Sequence, residues 1–107
     1  MTQAKHISIP ELETLMKGDN FFLLDVRQED EFNTCHIPGA THHSLGEIYS
    51  FDVNRIGMPI YVICRTGPRA LAACNALHQL GAIDVAWVCG GIQEWREKGL
   101  PTTSVKE

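Results

Sequence analysis

The sequence contains no apolar run long enough to cross a bilayer, which excludes a membrane-spanning helix. It carries no excess of positive charge, since nine Lys and Arg against thirteen Asp and Glu leave a formal net charge of -4. That balance argues against a general nucleic-acid binder, while local arginines remain able to hold a small anion. Met1 to Pro10 lack the charged start and continuous apolar stretch of a signal peptide, so a cytoplasmic address is expected, with no membrane partner. The four cysteines Cys35, Cys64, Cys74 and Cys89 include no C-x-x-C pair, and their spacing matches neither a zinc site nor a disulfide framework. Repeats, low-complexity tracts and linkers are also missing. What remains is a single domain over residues 1–107, 44% hydrophobic and 21% charged. At that length a chain buries roughly two thirds of its unfolded surface, enough for a core without staples.

Strand-like and helix-like patterns alternate. Ser8 to Glu11 reads as a capping box that opens a short helix through Leu12, Leu15 and Met16, with Gly18 as its left-handed stop. Phe21 to Leu24 is an apolar run ending in Asp25, as a buried strand would. Glu29 to Phe32 suits one helical turn, and Pro38-Gly39 breaks the chain before a brief strand at Ala40 to His43. A short helix is expected around Leu45 to Tyr49. Ile60 to Ile63 is the clearest strand, rich in β-branched residues. The period then changes to helical through Leu71, Cys74, Leu77, His78 and Leu80, with Gly81 as the stop. Val85 to Val88 is another strand, and Gly90-Gly91 leads into a helix bearing Ile92 and Trp95 that Gly99 and Pro101 end. The alternation implies an α/β domain whose mostly parallel sheet is covered on both faces. Ligands of such sheets sit beyond the carboxyl ends of the strands, where loops meet helix N-termini.

Cys64 occupies that position, opening the loop Cys64-Arg65-Thr66-Gly67-Pro68-Arg69 between the strongest strand and the strongest helix. Successive loop amides and the helix dipole can stabilise a thiolate, the nucleophilic form of cysteine. Arg65 and Arg69 add charge that suits an anionic substrate, and Gly67 permits a tight cradle. Pro68 suits a first helical turn but offers no amide hydrogen. The plainer reading of Cys64 is a buried strand-end thiol. The flanking glycine and arginines favour the reactive one.

Beyond this loop, the chain resembles the single-domain rhodaneses, sulfurtransferases acting on thiosulfate or persulfides. The resemblance rests on Leu24-Asp25-Val26-Arg27 with Glu31-Phe32, on His36-Ile37-Pro38-Gly39-Ala40, on the Cys64 to Arg69 loop, on Gly90-Gly91-Ile92 with Trp95, and on Gly99-Leu100-Pro101. It implies a rhodanese-like, five-stranded, mainly parallel sheet with helices on both faces. It further implies that Cys64 forms a persulfide and that Arg65, Thr66, Gly67, Pro68, Arg69 and Ala70 bind the substrate. The sulfur would come from a small anionic donor such as thiosulfate and leave to a thiol, cyanide or a partner protein's cysteine. No cofactor or metal is implied. Ala70 stands where the family often has a hydroxyl, and with Pro68 it reduces the donors available to the sulfur.

Three rival functions are weighed against this one. Related cysteine phosphatases and arsenate reductases place five residues between cysteine and arginine to surround a tetrahedral oxyanion; here four separate Cys64 from Arg69. A sulfur carrier or a binding module of the same fold would keep the architecture without turnover. Elsewhere, Cys74 and Cys89 are expected in the core, while Cys35 could resolve a persulfide. His36, His42 and His43 with Cys35 fit no zinc pattern and read as surface histidines. Arg27 and Glu31 are expected to form an ion pair that anchors a loop, and Trp87 and Trp95 to be packing residues.

Overall fold

The short apolar segments at the middle of the sheet become strands here because each is covered by strands on either side, while short, more polar strands close its two edges. The computed structural model describes residues 4–105; residues 1–3 and 106–107, the two ends of the expected domain, lie outside the described residues. Five strands, β1 (Lys5–Ile7), β2 (Phe22–Asp25), β3 (Thr41–His42), β4 (Ile60–Ile63) and β5 (Val85–Val88), form one sheet in the order β1-β5-β4-β2-β3. Every pairing among them is parallel, with Val62 opposite Leu24 on one side and Trp87 on the other. Three α-helices connect them, α1 (Ile9–Leu15), α2 (Glu29–Thr34) and α3 (Pro68–Gln79), and α4 (Gly91–Glu97) follows β5. Two 3-10 segments, Leu45–Ser50 and Val53–Arg55, precede β4.

Alternation along each strand divides the core in two. Leu24, Val26, Ile60, Val62 and Val85 face α3 and the first 3-10 segment, whereas Leu23, Ile63 and Val88 face α1 and α4. The α3 face that packs on the sheet runs through Ala70, Ala73, Cys74 and Leu77, at the i, i+3, i+4, i+7 spacing. Leu71, expected on this stripe, lies off it and is 36% exposed. Cys74 and Leu77 lie on the face as expected, and the small Ala70 and Ala73, which carry little apolar signal, complete it. Trp95 and Trp87 lie on opposite sides of the sheet, and the buried Trp95 donates its Nε1 hydrogen to the Pro101 carbonyl at 2.7 Å, fastening the C-terminal segment.

Several local expectations are met. Ser8 and Glu11 form the reciprocal capping box of α1, and Gly81 closes α3 with φ +105°. Gly18 does not cap α1. The helix ends at Leu15 with a right-handed Met16, and Gly18 has no positive φ. Strand β1 had no expectation of its own, because Lys5-His6-Ile7 is too short and polar to show a period. No helix of the described residues is long and apolar enough to cross a membrane.

Candidate active site

Cys64 follows β4 directly, at the carboxyl end of a central strand, and is 1% exposed. Its Sγ accepts the Gly67 amide hydrogen at 3.1 Å. The loop can fold back this tightly because Gly67 adopts φ 151° and ψ -45° as the N-cap of α3. A side chain would have no room there, since a Cβ on Gly67 would stand 2.9 Å from the Trp87 ring. Trp87 is thus the wall behind the amide that holds the sulfur. Its part was hidden in the sequence, where Val85 to Val88 reads only as a strand.

Pro68 opens α3, whose twelve residues aim the positive end of their dipole at the loop. First-turn amides such as those of Arg69 and Ala70 have no acceptor inside a helix. The Ala70 methyl is fully buried in the core cluster beneath the loop, and Thr66 and Pro68 are exposed. The six loop residues therefore play unlike parts: Gly67 touches the sulfur through its backbone, and Ala70 through its side chain is a core residue.

The two loop arginines also differ. Arg69 is engaged by Glu31 of α2 through two hydrogen bonds, at 2.7 and 3.1 Å. This contact draws the Glu31 carboxyl down to about 2. Arg69 is raised, chiefly by those bonds, and the neighbouring Cys64 and Asp25 add to the effect. Arg65 is exposed and lines a cavity of about 700 Å³ together with Thr34, Cys35, Gln93 and Arg96. Cys64 does not line that cavity, which lies beside the loop and not over the sulfur.

The expected pair between Arg27 and Glu31 is not formed. Arg27 is buried and turns back to Asp25 at 2.8 Å, and it donates a second bond to the Cys35 carbonyl at 2.6 Å. Asp25 lies two residues away at the strand end, and Glu31 is engaged by Arg69 instead. These contacts fasten β2 to the end of α2, and Glu31 then ties α2 to the start of α3.

His36 is a second correction. It is buried, stacks on Phe32 with ring centroids 3.8 Å apart, and donates from Nδ1 to the Phe32 carbonyl at 2.7 Å. His42 donates to the Arg27 carbonyl and His43 to the Glu47 carbonyl, both at 2.7 Å. The three rings serve three different backbone oxygens. Among the described residues, no three His, Cys, Asp or Glu side chains are grouped to hold a metal ion.

Cys74 is fully buried, and burial pushes its thiol up to about 12. Cys89 was expected in the core but is only half-buried, because β5 ends before it; burial, Glu94 and Glu11 raise its thiol. Neither resembles Cys64, which alone among the described cysteines accepts a backbone amide hydrogen at its sulfur.

The chain has relatives among known proteins. The model of the rhodanese-like domain matches residues 8–98. The chain is 33% identical over 100 residues to the thiosulfate sulfurtransferase GlpE of Pseudomonas savastanoi, covering 90% of this chain and 91% of that protein. It is 31% identical over 99 residues to YrkF of Bacillus subtilis, a protein named as a sulfur carrier, covering 85% of this chain but only 53% of the longer relative. A rhodanese-related protein from Thermoplasma volcanium has a similar solved structure, with a TM-score of 0.80 at 28% identity over 95% of this chain and 99% of that one. This chain belongs to the rhodanese-like domain family.

Proposed function

We propose that the protein is a sulfurtransferase that carries sulfane sulfur as a persulfide on Cys64. The observation that supports this most is the buried Cys64 sulfur held by the Gly67 amide at the N-terminus of α3. An amide hydrogen bond and a helix N-terminus both favour an anionic sulfur, whether thiolate or persulfide. In the first half-reaction the Cys64 thiolate attacks the outer sulfur of thiosulfate. A sulfur–sulfur bond forms at Cys64, and the bond to the sulfonate sulfur breaks, so sulfite leaves with the electron pair. In the second, cyanide or an acceptor thiolate attacks the outer sulfur of the persulfide, and Cys64 departs as thiolate. Both steps use one residue, which gives ping-pong kinetics.

Arg65, Thr66, Gly67, Pro68, Arg69 and Ala70 form the substrate-binding loop in this reading. Anion binding falls chiefly to backbone amides, since Arg69 shares its charge with Glu31 and Arg65 stands outside the cradle. Four residues between Cys64 and Arg69 leave a cradle suited to one sulfur atom and too small for a phosphoryl group. The same persulfide would serve a carrier emptied only by a partner cysteine, as the name of the Bacillus relative suggests. Turnover with cyanide distinguishes the two.

Mass spectrometry after incubation with thiosulfate tests the proposal. One added sulfur, located on the Cys64 peptide and removed by cyanide, is the expected result. An unmodified Cys64 in a folded protein would refute it.

A further inference from the structure

The loop that holds Cys64 is gripped from its other side. The amides of Ile92 and Gln93, in the first turn of α4, donate to the carbonyls of Cys64 and Arg65 at 2.9 and 3.0 Å. Gly91 makes this approach possible. It is buried, adopts φ +59°, and a Cβ placed on it would overlap the carbonyls of both Arg65 and Cys64. Two consecutive loop carbonyls are thereby turned towards α4.

The consequence follows from peptide geometry. None of the described peptide bonds is cis, and in a trans peptide the N–H points opposite to the preceding C=O. With the carbonyls of Cys64 and Arg65 drawn to α4, the N–H groups of Arg65 and Thr66 point away from it. That direction is the α3 side of the sheet, where the Cys64 side chain packs with Val62 and Ala70, while α4 packs on the opposite side. Neither N–H has an acceptor among the described residues. Together with the Gly67 amide already on Sγ, they make three successive donors on the side of the sulfur.

We infer that Gly91 is a positioning residue for the sulfur site: by letting α4 hold the loop carbonyls, it sets the direction of the amides that receive an anion at Cys64. The inference rests on the reading of Cys64 as the reactive sulfur, and it assigns a task to a glycine that touches neither that sulfur nor any substrate.

Gly90 supplies the control. It also has a positive φ, +85°, so alanine there strains the backbone as alanine at Gly91 does, yet the atoms nearest its Cβ would belong to the Glu94 side chain and not to the loop backbone. The probe is a pair of alkylating agents, iodoacetate and iodoacetamide. Both lose iodide to the same sulfur attack and differ in the charge of the group they bring. The rate ratio at Cys64, referred to that of the denatured protein, reads the anion preference of the cradle and is insensitive to a uniform loss of stability. Gly91→Ala should lower this ratio about tenfold, as expected for the loss of one hydrogen bond to a charged group. Gly90→Ala should keep the native ratio despite a comparable fall in Tm. Gln93→Pro is the second variant: at an exposed residue whose N–H has no acceptor inside α4, it removes the N–H to Arg65 and sets a ring carbon against that carbonyl, displacing it. It should lower the ratio too, and it decides alone if Gly91→Ala does not fold. A native ratio in Gly91→Ala, or an equal fall in Gly90→Ala, would overturn the inference, as would a native ratio in Gln93→Pro. Sulfur loading of the wild-type protein is measured alongside: if it fails, the sulfurtransferase reading falls, and if it succeeds with an unaltered ratio in the variants, only the role of Gly91 does.

Discussion

Replacing Glu31 with glutamine removes the charge that holds Arg69 while leaving a side chain of nearly the same size. Both partners keep about a third of their side chains exposed, 30% for Glu31 and 33% for Arg69. The drop of the Glu31 carboxyl from 4.5 to about 2 corresponds to roughly 3 kcal/mol if taken at face value. Solvent screening and the ordering of two long side chains reduce such a pair to about 1 kcal/mol. For a domain of this size that is a fall in Tm of about 4 °C or slightly more at neutral pH. Glu31 is depressed in the folded state, so its contribution is complete above pH 4.5 and is lost as pH falls towards about 2. Glu31→Gln should therefore differ from wild type at pH 6 and converge with it near pH 2. Urea unfolding followed by circular dichroism over that range measures the difference. The variant should also bind thiosulfate more tightly, by about fivefold if the released 1 kcal/mol is all returned to the dianion. A stability difference independent of pH would refute the ion-pair account, and an unchanged KM would show that Arg69 does not face the donor.

The remaining predictions concern the cysteines and the loop. Cys64→Ser should abolish thiocyanate formation from thiosulfate and cyanide, while substitutions at Cys35, Cys74 or Cys89 leave most of it; substantial activity in a folded Cys64→Ser protein would move the chemistry elsewhere. Arg69→Ala should raise KM for thiosulfate more than for an uncharged persulfide donor, and equal losses would confine Arg69 to bracing α2 against α3. Cys74 is held up at about 12, so the stability it contributes is complete below pH 9 and is lost as pH rises towards 12. Cys74→Ala should flatten that alkaline limb, and an unchanged limb would contradict the burial of its thiol. Aryl phosphates should not be hydrolysed, and turnover that disappears with Cys64→Ser would overturn the argument from loop length.

Local chemistry in the chain determined the elements that neighbouring residues suffice to define. The Ser8–Glu11 box, the β-branched Ile60 to Ile63 strand and the turn at Gly67-Pro68 each depend on contacts within a few positions, so they could be read directly. The placement of Cys64 followed for the same reason, because a strand meeting a helix already defines where a parallel sheet presents its ligands. Contacts between distant residues were decided by the tertiary structure alone. Glu31 and Arg69 are 38 positions apart, and Arg27 pairs with Asp25 while Glu31 goes to Arg69. The Trp87 wall behind Gly67 and the α4 amides on the loop carbonyls need the order β5-β4-β2 before they exist at all. Residue identity placed a sulfur, two arginines and a run of glycines in the chain, but only the packing of α2, α3 and α4 around the sheet decided which charges are shared and which way the amides point.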